Sequence, residues 1–325
     1  MFNAKDFIES QKTIVNNHVP YCSTLHIALG FDDNYALPAG VTILSVIKNT
    51  PNYNLHFHLF VDKVSNSNID KFKQFTNDKI AITLYTINSN FIINPKTLVL
   101  HITTISTCIR FIIPDILFSI TDRIIYLDSD TICLQSLEKL ATYSIENYIA
   151  GVIPDSLDMQ KEIKAMYNIN AEKYFNAGVL LINTKRWCEE KISQKAFDLI
   201  NSGKIYKYAD QDVLNILLEN KTLLLPIKFN TKIKIAIDAH QEKEIRPYTV
   251  ILHYISQNKP WFKVYQSEIF NRYLSLSPWK ENDLPLSGNS SSIRNYSKYL
   301  IHKGKFISSM YYYILYLKYK FYLKK

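Results

Sequence analysis

A run of four large apolar residues, at positions 124–127 of the segment RIIYLDSDT (123–131), most constrains the fold of this chain. The run shows no alternation of apolar and polar residues, which is typical of a strand covered on both faces. Such strands occur in parallel or mixed sheets that are packed between helices. The segment therefore predicts an α/β architecture, in which the rest of the chain supplies the covering helices.

Strand and helix patterns alternate along the chain. Period-2 patterns and short apolar runs predict strands at residues 25–31, 54–62, 79–87, 123–130, 148–153, 177–183 and 249–254. Helical spacing predicts helices at residues 37–50, 67–75, 104–117, 187–201 and 210–220. This order implies a layered α/β domain with a largely parallel or mixed sheet. We place that domain at about residues 20–285, followed by a Ser/Asn-rich linker at 287–295 and a C-terminal helical tail at about 290–325.

Two carboxylates, Asp128 and Asp130, directly follow the apolar run. Residues i and i+2 of an extended segment point to the same side, so both side chains converge at the carboxyl end of a strand, where α/β sheets bind ligands. Two close anions require that one takes a proton or that a cation lies between them. Another interpretation is that Asp130 caps a helix beginning near Leu134.

The Asp-x-Asp pair followed by Thr131 also resembles the signature of haloacid-dehalogenase phosphatases, in which Asp128 would be the nucleophile. That signature normally ends the first strand of its domain and needs a later Gly-Asp motif. Several predicted strands precede Asp128, and no glycine of the sequence is followed by aspartate. The phosphatase interpretation therefore stays open only as a remote alternative.

Polar residues also follow other predicted strands. The segment GFDDNYA (30–36) can bind ribose or base edges, or it can form a turn and a helix cap. His253 suits a metal, and Lys259 can hold a phosphate as a point charge. Oxygen and imidazole ligands together suit Mn²⁺, with Mg²⁺ as a substitute, and such an ion beside a lysine stabilises a leaving diphosphate. Two further segments, FNAGVLLIN with its small Ala-Gly step and the helix start YADQDVLN, contain Asn176, Ala177, Asp210, Gln211 and Asp212. For these two the alternatives are an ordinary strand entry and a charged first helical turn.

Composition narrows the class of protein. The chain has only 7 glycines and contains neither G-x-x-x-x-G-K-[ST] nor G-x-G-x-x-G, which argues against glycine-rich phosphate loops. The segment MFNAKDFIES lacks an apolar h-region, so we expect no secretory signal. The four cysteines form no C-x-x-C pair, which favours a reduced, cytoplasmic protein.

Positive charge is concentrated in the C-terminal tail, where Arg294 and seven lysines supply eight of the nine net charges and no acidic residue follows Asp283. The segment MYYYILYLKYKFYLKK interleaves tyrosine and lysine, and its longest apolar run, 310–317, is far shorter than the roughly 18–20 residues that span a bilayer. A basic, aromatic helix of this kind favours a membrane surface. A helix docked on the body and a nucleic-acid patch are the alternatives, although the body contains no known nucleic-acid-binding motif.

Six motifs in chain order resemble glycosyltransferase family 8, and most closely the bacterial lipopolysaccharide core glucosyl- and galactosyltransferases. The motifs are FDDNY, IRF, YLDSD, FNAGVLLIN, DQDVLN and HYISQNKPW. The resemblance spans about residues 20–285, and SPWK followed by a basic, tyrosine-rich tail is also similar to that subgroup. It implies a GT-A fold, which is a Rossmann-like mixed sheet with flanking helices.

The resemblance also implies roles for individual residues. Asp128, Asp130 and His253 would hold Mn²⁺ or Mg²⁺. The donor, UDP-glucose or UDP-galactose, would contact Gly30, Asp32, Asp33, Asn34, Tyr35, Arg110, Asp128, Ser129, Asn176, Ala177, Ser256 and Lys259. Ser256 departs from the family pattern, which usually has glycine there.

The family implies hexose transfer with retention of anomeric configuration. Gln211 would lie beneath the anomeric carbon and stabilise oxocarbenium character, while Asp155 or Asp210 would orient sugar hydroxyls. An amide is a poor nucleophile, so a covalent intermediate is not favoured.

The expected product is an α-linked hexose on the lipopolysaccharide core. The acceptor would be lipid-linked and reached at the cytoplasmic face of the cell membrane through the tail. A soluble, capsule or glycoprotein glycan is the alternative acceptor, a non-catalytic sugar-binding module is the alternative class, and no nucleic-acid partner is expected.

Overall fold

An eight-stranded mixed sheet forms the centre of the protein in the computed structural model, which describes residues 2–88, 105–167, 169–204 and 206–322. The strands are β1 (Ile8–Asn16), β2 (Thr24–Asp32), β3 (Asn54–Asp62), β4 (Ile80–Ile87), β5 (Arg123–Leu127), β6 (Thr131–Cys133), β7 (Ala150–Pro154), β8 (Phe175–Asn183), β9 (Thr222–Leu224), β10 (Thr231–Ile233) and β11 (Ile251–Tyr254). The helices are α1 (Ala36–Asn49), α2 (Asn66–Phe72), α3 (Ile105–Leu117), α4 (Glu138–Ala141), α5 (Leu157–Met166), α6 (Thr184–Glu189), α7 (Ile192–Asn201), α8 (Ala209–Leu217), α9 (Glu268–Leu274), α10 (Ser290–His302) and α11 (Phe306–Tyr322).

The strand order of the main sheet is β1-β4-β3-β2-β5-β8-β7-β9. Strands β4, β3, β2 and β5 run parallel, whereas β1 is antiparallel to β4 and β8 is antiparallel to both β5 and β7. Alternate residues of each strand face two apolar layers, so Ile27 and Leu29 lie in the layer that contains α1, and Ala28 lies in the layer that contains α3. Burial on both faces explains the unbroken apolar sequence of β5.

The register of the central strands brings their carboxyl ends, which carry the predicted site residues, to the same level. Strand β2 pairs with β5 through Ala28 and Tyr126, so Gly30 and Asp128 follow at the same level two residues later. A second, three-stranded sheet of order β10-β11-β6 lies beyond β5. In it His253 is the register partner of Thr131, which places the histidine beside the Asp-x-Asp segment.

The structure excludes the alternative in which Asp130 caps a helix beginning near Leu134. Residues Thr131–Cys133 form β6, and α4 begins only at Glu138. The predicted continuous helix 187–201 is likewise interrupted, because Lys191 adopts a left-handed conformation with φ of 54° between α6 and α7.

Two further differences concern the ends of the predicted domain. Strand β1 precedes the predicted start at residue 20, and its largely exposed, polar residues gave no strand pattern. Part of the predicted linker 287–295 is helical, because the side chain of Asn289 accepts from the backbone N of Ser292 and starts α10. Residue 104 of a predicted helix and residues 323–325 of the tail lie outside the described residues.

The predicted helical tail is present as two helices, α10 and α11, that fold back on each other. Ser297 and Ser309 join them, each hydroxyl donating to the backbone O of the other residue at 2.8–2.9 Å. Ile293 and Tyr316 are buried in the core layer that contains α1, so the tail is docked on the body. Its outer face exposes large apolar side chains, namely Phe306, Ile307, Met310, Tyr311, Tyr313, Ile314 and Phe321. Among the described helices, none is long and apolar enough to cross a membrane.

Candidate active site

Three side chains that can ligate a metal converge at the carboxyl end of β5. Asp128, Asp130 and His253 each place one ligand atom within 4.8 Å of the other two. Oδ1 of Asp130 lies 3.1 Å from Nε2 of His253, and only 14% of the Asp130 side chain is exposed. The structure thus brings together all three residues that the family resemblance implied as ligands.

Lys259 lies on the other side of Asp130. Its Nζ donates to Oδ2 of Asp130 at 2.6 Å and to the backbone O of Tyr254 at 2.7 Å. Burial alone would raise the pKa of Asp130, but Lys259 and His253 outweigh this effect and hold the pKa well below its usual range. Asp130 is therefore charged at neutral pH, and no proton on it can bridge to His253.

A chain of hydrogen bonds fixes the tautomer of His253. The carboxylate of Asp155 can only accept, and its Oδ2 receives Nε2 of Gln211 at 3.2 Å. Oε1 of Gln211 then accepts from Nδ2 of Asn176 at 3.0 Å, and Oδ1 of Asn176 accepts from Nδ2 of Asn230 at 2.9 Å. Oδ1 of Asn230 lies 3.0 Å from Nδ1 of His253, so Nδ1 carries the proton and donates it.

Nε2 of His253 faces Oδ1 of Asp130, so either a metal ion or a second proton on the imidazole suits the space between these two atoms. Oδ1 is buried and has no hydrogen-bond partner among the described residues. In the neutral form of His253, the lone pair of Nε2 and the charged Oδ1 of Asp130 lie 3.1 Å apart and repel each other unless a cation lies between them. The donor set therefore fits a divalent ion, and carboxylate with imidazole ligands suits Mn²⁺. Asn230 supplies the outer hydrogen bond that orients a ligating histidine.

Arg110 of α3 is buried beside the carboxylates of Asp128 and Asp210. It donates to Oδ1 of Asp128 and to the backbone O of Ala177, both at 2.9 Å, and its Nε lies 2.9 Å from Oδ2 of Asp210. The hydroxyl of Tyr126 donates to the same Oδ1 of Asp128 at 2.8 Å. Burial raises the pKa of Asp210 to about 6, although Arg110 opposes this shift. One guanidinium therefore holds both Asp128 and Asp210 in place.

Gln211, at the start of α8, has every polar group of its amide engaged. Besides Asn176, its oxygen accepts from the backbone N of Ala177 at 3.2 Å, and its nitrogen donates to Tyr174 at 3.1 Å as well as to Asp155. Asp155 is itself nearly buried, and its Oδ1 accepts from Nζ of Lys232 at 2.6 Å. The predicted residues Asn176, Ala177, Asp155, Asp210 and Gln211 thus form one connected network with the candidate metal ligands.

The segment after β2 is a turn that caps a helix. Oδ1 of Asp32 accepts from the backbone N of Asn34 and of Tyr35, and Oδ1 of Asp33 accepts from two groups at the start of α2. Burial, with the nearby charges of Asp-x-Asp, raises the pKa of Tyr35 to about 12, and its ring meets that of Trp261 edge-on at 5.5 Å. Tyr35 therefore lies close to the Asp-x-Asp carboxylates, whereas Asp33 bonds to the start of α2.

Two serines of the predicted site have unusual environments. Oγ of Ser129 is buried and has no hydrogen-bond partner within the described part of the chain. Ser256, where the family usually has glycine, has φ of 79°. This left-handed conformation favours glycine and strains a residue with a side chain, which explains the family preference.

Asn230, Lys232 and Gly178 also belong to the site, although no sequence pattern marked the first two or the role of the glycine. A Cβ at position 178 would lie 2.3 Å from Cε1 of His253 and 2.8 Å from Oδ2 of Asp128. The Ala-Gly step had indicated close approach of a ligand, but the side chains of His253 and Asp128 occupy that space. No pattern marked Asn230 or Lys232, because a single Asn or Lys in a polar segment is indistinguishable from an ordinary surface residue.

Two curated relatives match nearly the whole chain. The lipopolysaccharide 1,2-glucosyltransferase of Escherichia coli (strain K12) is 30% identical over 318 residues, which cover 92% of this chain and 92% of the relative. The lipopolysaccharide 1,3-galactosyltransferase of Salmonella typhimurium is 32% identical over 328 residues, which cover 95% of this chain and 96% of the relative. Relatives of this similarity and coverage establish a shared family.

Solved structures confirm the predicted GT-A fold. The galactosyltransferase LgtC, in complex with donor and acceptor sugar analogs, has a TM-score of 0.62 at 24% identity and covers 80% of this chain and 98% of its own. The bifunctional glycosyltransferase WbbM has a TM-score of 0.64 at 22% identity and covers 82% of this chain and 52% of its own.

Family assignment follows from matches along most of the sequence. Residues 26–264 match Glycosyl transferase family 8, and residues 266–320 match Glycosyl transferase family 8 C-terminal. Together with the two relatives, these matches show that the chain belongs to glycosyl transferase family 8 and is a hexosyltransferase.

Proposed function

We propose that the protein transfers glucose or galactose from a UDP-hexose to the core oligosaccharide of lipopolysaccharide, with retention of anomeric configuration and an α-linkage. The observation that carries the proposal is the convergence of Asp128, Asp130 and His253 at the carboxyl edge of the sheet, where Oδ1 of Asp130 is buried and has no hydrogen-bond partner among the described residues. The names of the two relatives, a glucosyl- and a galactosyltransferase of lipopolysaccharide, support the donor and acceptor classes.

The donor would lie along the carboxyl ends of β2, β5 and β8. Its nucleoside would contact Gly30, Asp32, Asn34 and Tyr35, with Asp33 fixing this turn against α2. The hydroxyl of Ser129, which has no hydrogen-bond partner among the described residues, supports a ligand beside Asp128, because a buried hydroxyl without a partner is unfavourable unless a bound group supplies one.

Charge stabilisation at the diphosphate would drive departure of UDP. When bound by Asp128, Asp130 and His253, Mn²⁺ or Mg²⁺ would act as a Lewis acid toward the diphosphate oxygens. The ammonium of Lys259 lies beside Asp130 and would add a second positive charge for the leaving group. The backbone around Ser256, which lies between His253 and Lys259 in the sequence, would also line the diphosphate-binding loop.

The hexose would lie over the network around Gln211. Because Asn176 and Ala177 hold the amide oxygen of Gln211, that oxygen presents a fixed dipole toward oxocarbenium character rather than a mobile nucleophile. Asp155 and Asp210, each held by a cation, would orient hydroxyls of the sugar.

The outer face of α11 would bind the cytoplasmic face of the cell membrane, where a lipid-linked acceptor is presented. Ile307, Met310 and Ile314 are 84%, 63% and 47% exposed, and Lys318 and Lys320 lie further along the same helix. Apolar side chains beside lysines suit an interface with anionic lipid.

The donor test is UDP release from a panel of UDP-hexoses with and without Mn²⁺. We expect metal-dependent release from UDP-glucose or UDP-galactose, lost in Asp130→Ala and kept in Asp70→Ala, which removes an exposed carboxylate of α2. Turnover of no UDP-sugar, together with cleavage of a phosphate ester, would favour the phosphatase alternative.

The acceptor test offers the labelled hexose to truncated lipopolysaccharide core and to soluble, capsule or glycoprotein glycans. Transfer only to a soluble glycan would overturn the lipopolysaccharide assignment while leaving the donor assignment intact. For the membrane, we expect sedimentation with anionic vesicles to be lost in the triple variant Ile307→Ser/Met310→Ser/Ile314→Ser. Leu157→Ser, which changes an exposed apolar residue of α5, should sediment as the wild type does.

A further inference from the structure

Three histidines cluster on one face of the main sheet. His26 of β2 is the register partner of His56 of β3, and His58 follows two residues later on the same face. Each residue places a ring nitrogen within 4.8 Å of the other two. The rings of His56 and His58 stack at 4.0 Å, and those of His26 and His58 at 5.3 Å. Strand register therefore holds the three imidazoles together.

The histidine cluster is separate from the candidate active site. His26 lies two residues before Ala28, whose partner Tyr126 lies two residues before Asp128. Four residues of strand place His26 and His56 about 13 Å from the level of Asp128, and two residues place His58, the register partner of Ala28, about 7 Å from it. None of the residues assigned to the donor or to the hexose belongs to it. A ligand of this cluster is therefore independent of the proposed transfer reaction.

The imidazoles are neutral at physiological pH. Burial, with the influence of neighbouring imidazoles, lowers the pKa of His26 and of His56 to about 4, and burial also holds the pKa of His58 well below its usual value. A neutral imidazole has a free lone pair, which is the form in which histidine ligates metals. Nδ1 of His26 and Nε2 of His58 already face each other at 3.0 Å.

We propose that His26, His56 and His58 form a binding site for a divalent transition-metal ion, with Zn²⁺ as the ion best suited to them. Imidazole nitrogens suit Zn²⁺, Cu²⁺ and Ni²⁺, and Zn–N distances of about 2.0–2.1 Å in tetrahedral geometry separate the ligand atoms by about 3.4 Å. In the structure, Nδ1 of His26 lies 3.0 Å from Nε2 of His58, and the ligand atoms of all three residues lie within 4.8 Å of one another. The separation that a zinc ion requires falls between these two distances. Small side-chain rotations would close the site and leave a fourth position for water.

Groups around the cluster can orient its ligands. Oη of Tyr85 lies 3.1 Å from Nδ1 of His58, so Nδ1 can donate to it while Nε2 ligates the ion. Oγ1 of Thr83 lies 2.9 Å from Nε2 of His56 and fixes that ring. The charge of Asp122 acts on His26 and would partly balance a cation. A bound ion would join β2 to β3 and stabilise the folded state.

The test counts Zn²⁺ bound to the tag-free, metal-depleted full-length protein by equilibrium dialysis, with Co²⁺ absorption as a spectroscopic probe. We expect two zinc sites in the wild type, of which Asp130→Ala removes the one at the candidate active site. His26→Gln and His56→Gln should each remove the other, and His240→Gln, which changes an exposed histidine, should keep both.

A second variant covers the case in which the histidine variants fail to fold. Tyr85→Phe keeps the buried ring that stacks on Phe60 and removes only the hydroxyl. We expect it to bind zinc about 10–100-fold more weakly at this cluster, as loss of an outer-shell partner does. Absence of any zinc or cobalt on Asp130→Ala would overturn the proposal. Wild-type affinity in both His26→Gln and Tyr85→Phe would overturn it too, and the cluster would then be only a hydrogen-bonded structural element.

Discussion

Replacement of Gly178 by alanine tests the geometry of the candidate metal site without replacing any of the candidate ligands. The new Cβ would lie 2.3 Å from Cε1 of His253 and 2.8 Å from Oδ2 of Asp128, whereas ordinary contact begins at 3.4 Å. The imidazole must therefore move by about 1 Å, and the carboxylate by about half as much. Metal sites tolerate deviations of only about 0.2 Å in ligand distance, so both ligands would leave their positions.

We expect Gly178→Ala to weaken Mn²⁺ binding at least about tenfold, which corresponds to about 1.4 kcal/mol. The added methyl group should also reduce the free energy of unfolding by about 1–3 kcal/mol, as overpacking of a core does. The assay is titration of Mn²⁺ followed by electron paramagnetic resonance, with urea unfolding measured on the same sample.

Gly151→Ala is the matched control. Its Cβ would meet Cδ1 of Leu225 at 2.9 Å, which is the end of a flexible side chain directly after β9 and not a candidate metal ligand. We expect it to bind Mn²⁺ like the wild type. A folded Gly178→Ala protein with wild-type Mn²⁺ affinity would refute the assignment of His253 and Asp128 as ligands of one ion.

Three further changes test the surrounding network. Asn230→Ala removes the acceptor for Nδ1 of His253, so Mn²⁺ affinity should fall about 10–100-fold in the same titration, and unchanged affinity would contradict the inferred tautomer. Lys232→Met leaves the buried carboxylate of Asp155 without its cation, so urea unfolding should show a free energy of unfolding lower by about 3–5 kcal/mol. Adding Asp155→Asn to this variant should restore the stability, and a loss that persists would contradict the ion pair as its cause. Ser256→Gly relieves the strain of a left-handed residue, so thermal unfolding should show a free energy of unfolding higher by about 1 kcal/mol. A lower free energy of unfolding would show that the contacts of the serine hydroxyl outweigh the strain.

Most strands were predictable because each carries a pattern of its own. The apolar run of β5 and the alternation of β3 are set by burial on known faces. Strand β3 spans its predicted residues, whereas β5 ends at Leu127, three residues before the predicted end at 130, because the chain turns at residues 129–130. Strand β6 was missed because three residues are too short for any period, and its pairing with β11 is a tertiary event. The break at Lys191 was missed because a left-handed lysine has no sequence signal.

The candidate site was predictable only in part, for a related reason. Asp128 directly follows β5, Asp130 directly precedes β6, and His253 lies in β11, which pairs with β6. The order of the strands therefore places all three at one edge of the sheet. Asn230 joins the site through hydrogen bonds to partners that are distant in sequence, and no local pattern encodes such a contact. The roles of Asp32 and Asp33 in capping were among the alternatives that the sequence left open, and the structure shows the capping bonds.

Strand β1 has a consequence for aggregation. It covers β4, whose residues are almost all buried and would otherwise form a long apolar edge. β1 itself carries Glu9 and Lys12 and pairs with two irregularities in register, and the opposite edge, β9, has only three residues. Charged, irregular or very short edge strands do not template pairing with another chain. Because β1 is synthesised about 70 residues before its partner, a nascent chain must wait for β4 before this protection exists.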